Sequence, residues 1–156
     1  MNAMVVFLSM GIMALAQIAP PVQSHEKPIQ QLVSAFMSAW NKHDAHAFAG
    51  TFTEDADFTN VRGVGAHGRN AIEQFHATVF ETIFKQSHQT ATDVRTRFVA
   101  SNVASVDVRW EMTGSTAPDG TPIPLRKGLL TWLVTERDGR WLITVMHNQD
   151  LTPRKE

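Results

Sequence analysis

Two histidines lie at positions where an imidazole would face the interior of the protein. His76 belongs to an apolar stripe of helical period that also contains Ile72, Phe75, Val79, Phe80, Ile83 and Phe84. His147 shares one face of a strand with Trp141, Ile143 and Val145 if side chains alternate along it. A half-buried imidazole titrates near neutral pH and can act as an acid, a base or a ligand donor. We therefore predict both as catalytic residues. The alternatives are a core histidine bonded to a backbone carbonyl and, for His147, a histidine at a dimer interface on the outer face.

Five further residues are candidates for binding a substrate. The aromatic ones, Trp40, Phe58, Phe80 and Trp110, fall within the apolar pattern of the predicted helices and strands. Large aromatic side chains at such positions more commonly build the core than a ligand platform. Arg126 lies at the start of a predicted strand. Its guanidinium would either pair with a carboxylate or enolate oxygen of a ligand or stay in solvent.

Two other patterns are considered for a metal or a cofactor. His43 and His46 lie one helical turn apart, but a metal site needs three or four ligands and the sequence offers no obvious third. Residues 63–68 match G-x-G-x-x-G, the dinucleotide-binding pattern. However, the preceding segment alternates with polar residues, and no later helix exists to build a doubly wound sheet. We therefore predict no metal and no cofactor.

The composition limits the class of protein. A chain of 156 residues with 43% hydrophobic and 19% charged residues is typical of one folded domain. The net charge is −1 and the basic residues are scattered, so the sequence offers no positive surface for nucleic acid. Cysteine is absent, which excludes disulfide bonds and thiolate catalysis.

The first residues have the character of a secretory signal peptide. Residues 3–18 are uncharged and mostly apolar, and two prolines follow at 20–21. The run is shorter than the roughly 20 residues of a membrane-spanning helix, so no stable membrane insertion is expected. Small residues suit cleavage at Ala14 with Ala16 or at Val22 with Ser24. We predict a signal peptide over 1–24 and a periplasmic or secreted protein. No basic residue precedes the apolar run, so an uncleaved anchor or a misplaced start codon is the alternative.

The remaining pattern predicts helices first and strands afterwards. Residues 29–40 carry a helical apolar stripe, a short helix follows Asp44, residues 56–61 are extended, and the third helix contains His76. After Gln86 four segments alternate with period two, and Asp138-Gly139 joins the last two as a hairpin. This order predicts a single α+β domain over 25–152. In it, three helices pack on a curved antiparallel sheet around a conical space.

Several local phrases resemble the nuclear transport factor 2-like superfamily, which has a cystatin-like fold. The phrases lie at residues 36–44, 53–58, 68–72, 126–128 and 141–148, and they are most similar to the SnoaL-like and SgcJ/EcaC branches. The superfamily includes ketosteroid isomerases, polyketide cyclases, dehydratases and proteins that only bind or dimerise. The resemblance implies the cone-shaped fold, a binding pocket and a homodimer through the sheet face.

One residue departs from the ketosteroid isomerase pattern. Counting from Asp55-Ala56, Asn60 occupies the place where those isomerases carry an aspartate base. An amide can orient a substrate oxygen but cannot take a proton at neutral pH. We therefore expect an exported protein that binds a hydrophobic or aromatic compound, with acid–base chemistry of the isomerase, cyclase or dehydratase type carried by His76, His147 and Asn60. The sequence leaves open the alternative of a non-catalytic ligand-binding or dimerisation module.

Overall fold

The computed structural model describes residues 23–151, which form three helices and six strands. The helices are α1 (Gln23–Asn41), α2 (Ala45–Ala49) and α3 (Arg69–Glu81). The strands are β1 (Phe52–Thr59), β2 (Gly65–His67), β3 (His88–Ala100), β4 (Val103–Thr113), β5 (Arg126–Arg137) and β6 (Arg140–Asp150). The predicted α+β class is confirmed.

The strands form one sheet in the order β2-β1-β6-β5-β4-β3. Four of the neighbouring pairs are antiparallel. The pair of β1 and β6 is parallel, because α3 and four strands separate the two in the chain and allow the crossover. The sheet is therefore mixed at one position, where the alternation along the chain predicted antiparallel pairing throughout.

The core lies between the inner face of the sheet and the helices. Phe36 of α1 packs on Trp132 of β5 with ring centroids 4.9 Å apart, and on Phe48 of α2 at 4.6 Å. All three side chains are almost completely excluded from solvent. Burial of such aromatic area, at about 25 cal/mol per Å² of apolar surface, holds the helices on the sheet without disulfide bonds.

A β-bulge in β6 changes which residues face inward. Leu133 pairs with Val145, whereas its neighbour Val134 pairs with Ile143, so Thr144 is the extra residue. Before the bulge, Trp141 and Ile143 are buried; after it, Met146 is the buried residue. The inward face of β6 is therefore shifted by one residue in its second half.

The predicted signal peptide lies outside the described residues, apart from Gln23 and Ser24, which belong to α1. Among helices of the described chain, none is long and apolar enough to cross a membrane. The signal peptide and its cleavage remain predictions.

Candidate functional site

A cavity of about 740 Å³ opens between the inner face of the sheet, α3 and two loops. The loops are the β1–β2 turn, with Asn60 and Arg62, and the β4–β5 connection, with Thr116 and Pro118. Six of the residues predicted for catalysis or binding line this cavity: Trp40, Phe58, Asn60, His76, Trp110 and Arg126. The structure therefore brings together residues from both helical and strand segments of the sequence.

His76 is a buried, neutral imidazole in the cavity wall. Its side chain is 2% exposed, and Nδ1 lies 2.8 Å from the carbonyl oxygen of Ile72 one turn earlier in α3. Nδ1 must carry the proton to donate this bond, so Nε2 keeps a lone pair. Burial lowers the pKa of His76 from 6.5 to about 4, and the bond to Ile72 opposes this shift only in part.

Aromatic rings surround His76 on several sides. Phe48 lies 4.1 Å from the imidazole centroid, Phe58 4.9 Å and Phe75 5.2 Å. These rings supply the apolar surroundings that disfavour the imidazolium. His76 is therefore uncharged at neutral pH, and its Nε2 can accept a hydrogen bond or, during a reaction, a proton.

Trp110 spans the floor of the cavity because Gly128 leaves room for it. A Cβ added at Gly128 would overlap the Trp110 indole and the carbonyl oxygen of Gln149. With no side chain there, the indole crosses β5, and its Nε1 donates to Asn148 Oδ1 on β6 at 3.0 Å. This bond consumes the amide oxygen of Asn148 and leaves its NH₂ group as a donor.

Arg126 forms an ion pair at the side of the cavity. Its Nε and Nη2 donate to Asp150 Oδ2 at 3.1 and 2.8 Å, and its side chain is 12% exposed. The guanidinium carbon also lies 5.6 Å from the Trp110 ring centroid and 6.0 Å from that of Phe84. Asp150 therefore holds Arg126 as a cation at the cavity, a pairing that neither sequence-based interpretation expected, and its contact with a ligand stays a prediction.

Asn60 stabilises the β1–β2 turn. Its Oδ1 accepts from the backbone N–H groups of Arg62 and Val64 at 2.8 and 3.0 Å. Because the oxygen is used in this turn, only the amide NH₂ remains for a ligand.

Comparison of the sequence with models of protein families identifies the family of this chain. A family model described as a SnoaL-like domain matches residues 33–143. This chain belongs to the SnoaL-like family. Comparison of the SnoaL-like protein with curated proteins finds no match.

Solved structures share the fold of the SnoaL-like protein. An uncharacterised protein with a cystatin-like fold from Caulobacter vibrioides is 32% identical, with a TM-score of 0.77 over 83% of this chain and 92% of that one. A protein named for scytalone dehydratase from Novosphingobium aromaticivorans is 17% identical, with a TM-score of 0.73 over 83% and 86%. The hexachlorocyclohexane dehydrochlorinase LinA-type3 from Novosphingobium barchaimii is 18% identical, with a TM-score of 0.74 over 83% and 88%. These likenesses confirm the predicted cystatin-like fold.

Two of the predicted site residues lie elsewhere. His147 is exposed and pairs with Thr131 on the outer face of the sheet, because the bulge at Thr144 shifts the inward positions to Met146 and Asn148. The prediction that His147 faces the cavity is wrong. Phe80 is buried in the core beside α1, 5.1 Å from Trp40 between ring centroids, and does not line the cavity.

Five polar residues of the cavity were not predicted as site residues from the sequence: Arg62, Gln89, Thr116, Asn148 and Asp150. Gln89 faces inward because a register shift between Ala91 and Asp93 interrupts β3, whereas strict period two counted from Val94 would have placed Gln89 outward. Asn148 and Asp150 would have been found only if the bulge in β6 had been recognised. No sequence pattern in this segment marks Thr144 as the extra residue.

Neither of the patterns considered for a metal or a cofactor forms such a site in the described residues. His46 Nδ1 lies 3.1 Å from Glu73 Oε2, and no group of three potential metal ligands occurs within residues 23–151. Residues 65–67 of the glycine-rich pattern form strand β2, paired antiparallel with β1.

Proposed function

We propose that this SnoaL-like protein binds an apolar or aromatic small molecule in the cavity and removes water from it by acid–base catalysis. The observation that carries the proposal is a neutral imidazole, His76, in an aromatic wall of the same cavity that holds the Arg126 cation. Apolar walls with a few convergent polar groups are typical of small-molecule sites.

His76 is suited to be the base in this reaction. Its Nδ1–H is held by Ile72, which fixes the tautomer and leaves Nε2 as the basic atom. It is also the one histidine among the described residues lining the cavity. Since its pKa is about 4, the imidazole is unprotonated throughout the neutral range and ready to accept a proton.

A β-hydroxy ketone shows how the residues would act together. His76 Nε2 takes a proton from the carbon beside the carbonyl, and the C–H electron pair forms a C=C bond. The adjacent C–O bond breaks, and the departing hydroxide receives the proton from the His76 imidazolium and leaves as water. Arg126 would stabilise the negative charge that develops on the carbonyl oxygen.

The names of two structural neighbours support the reaction class. One is named for a dehydratase and the other is a dehydrochlorinase. Loss of water and loss of hydrogen chloride both begin with removal of a proton beside a leaving group. The same framework therefore accommodates eliminations in other proteins.

A second function, ligand binding without turnover, is favoured by one observation. His76 bonds to a backbone carbonyl, and no carboxylate within the described chain bonds to its imidazole. An imidazolium formed in this apolar wall would therefore lack the stabilisation that a paired carboxylate gives. Binding alone would need no such stabilisation.

The test uses a phenyl-substituted β-hydroxy ketone, whose dehydration gives an ultraviolet-absorbing conjugated enone. We expect the wild-type protein to form the enone and His76→Gln to lose at least about a hundredfold in rate, the low end of general base catalysis. His147→Gln is the matched control, because it removes an exposed histidine on the outer face and should keep full activity. Full activity in His76→Gln would contradict the assignment, and saturable binding without turnover by the wild type would favour the second function.

We also propose that the protein is exported and forms a homodimer through the outer face of the sheet. Leu133 is 38% exposed on that face and lies beside Val145 in the paired strand β6. Leu129 lies four residues earlier in β5, on the same face. Apolar side chains in a row on an otherwise polar face favour an interface between copies.

A further inference from the structure

Gln89 is a buried polar side chain that lacks a protein partner. It is 2% exposed, lines the cavity, and its Oε1 has no hydrogen-bond partner among the described residues. Buried amide oxygens are almost always bonded, and an unpaired one reduces stability. A group that destabilises the free protein and faces a cavity is a candidate for contact with a ligand.

The backbone of Gln89 is fixed without help from its side chain. Gln89 N–H donates to Asn41 Oδ1 at 2.7 Å, and Asn41 Nδ2 donates to the carbonyl oxygen of Gln89 at 2.9 Å. This reciprocal pair ties the start of β3 to the end of α1. The side chain is therefore dispensable for holding the strand and is positioned in advance for binding.

Gln89 lies in a row of cavity residues that crosses three strands. Gln89 pairs with Met112, and Met112 pairs with Arg126, so the row runs from an acceptor to a cation. Two interstrand spacings of about 4.8 Å separate the backbones at the ends of the row. An aromatic molecule bridging them would carry a donor at one end and an oxygen acceptor at the other.

We infer that Gln89 is a specificity-determining residue that accepts a hydrogen bond from a hydroxyl or N–H group on the bound compound. The ligand class is a hydroxylated or amino-substituted aromatic compound whose second polar group, an oxygen, faces Arg126. This inference rests on the proposed function only in that the cavity must bind an aromatic small molecule. It does not depend on turnover.

The test isolates the donor end of this ligand class. It compares binding of β-naphthol, which carries the O–H donor but no second oxygen for Arg126, with that of its methyl ether, which lacks the O–H donor. Binding is followed by tryptophan fluorescence, since Trp40 and Trp110 line the cavity, and by calorimetry. We expect the wild type to prefer β-naphthol by roughly three- to tenfold, the effect of one neutral hydrogen bond. Gln89→Leu should lose this preference, whereas Thr90→Leu, at the neighbouring exposed position of β3 outside the cavity, should retain it.

The melting temperature of the free protein separates a binding role from a structural one. Replacing an unpaired buried amide with an apolar side chain should raise the melting temperature of Gln89→Leu by a few degrees. A fall in melting temperature would show that the amide holds the fold and would overturn the inference. An equal preference for β-naphthol in wild type and Gln89→Leu would also overturn it while leaving the cavity proposal intact. Failure of the wild type to bind either compound would overturn both.

Discussion

At the scale of single residues, the position of His76 follows from a simple helical period. The stripe that places it inward includes Ile72 and Phe80, which are both buried in the structure. The hydrogen-bond partner of His76 is the carbonyl oxygen of Ile72, one turn earlier in the same helix. This bond matches the alternative to a catalytic role, a core histidine bonded to a backbone carbonyl. What the sequence could not provide is the cavity, because packing of distant elements decides which side of a buried ring stays open.

The low pKa of His76 makes stability depend on pH. Between pH 4 and 6.5 the unfolded chain binds a proton at this residue and the folded protein does not, so acid favours unfolding. We expect a loss of about 3 kcal/mol on lowering the pH through this window, from 1.36 kcal/mol for each unit of the shift to about 4. Urea unfolding across the window checks this. His76→Leu should remove most of the dependence, and an unchanged dependence in that variant would contradict the assignment.

At the scale of elements, the alternation of apolar and polar residues predicted the strands, but it did not predict which side chains of β6 face inward. The period-two rule holds until an extra residue is inserted, and then every later side chain moves to the other face. Thr144 is that residue, which is why His147 was expected to face inward. The pairing that reveals the bulge involves β5, so β6 alone does not carry the information. The helical periods are less vulnerable because no bulge interrupts α1 or α3.

Gly128 in β5 is a position where no side chain fits between the neighbouring groups. A methyl group there would overlap the Trp110 indole and the carbonyl oxygen of Gln149. We expect Gly128→Ala to destabilise the fold by about 1–3 kcal/mol, as overpacking of a core does, and to break the Trp110–Asn148 bond. Denaturant unfolding and tryptophan fluorescence test both effects. Wild-type stability with an unchanged emission spectrum would show that β5 can move away from the indole.

At the scale of the whole molecule, the order of the helices and strands and their hydrophobic periods were sufficient to predict the fold class. Three helices before a run of paired strands leave few arrangements other than helices on one face of a sheet. The parallel pairing of β1 with β6 was not predicted, because residues 56–61 are too short a segment to reveal their partner. The assembly state belongs to this scale as well.

The proposed dimer gives a prediction for the outer face. Leu133→Lys should convert a dimer to a monomer, because it places a charge in the centre of the apolar row. Sedimentation velocity measures the change. Leu151→Lys is the control, since Leu151 is 46% exposed but follows the last strand. A monomeric wild type, or a dimer that survives Leu133→Lys, would contradict the proposed interface.

The most direct test of the central claim is nitrogen nuclear magnetic resonance of the His76 ring during titration with β-naphthol. The structure predicts a neutral ring at pH 6, with the proton on Nδ1 and a shift of the Nε2 resonance as the compound binds. That result would place the ligand against the basic atom of the cavity wall. A charged ring at pH 6, or an Nε2 resonance unmoved by saturating compound, would contradict the account.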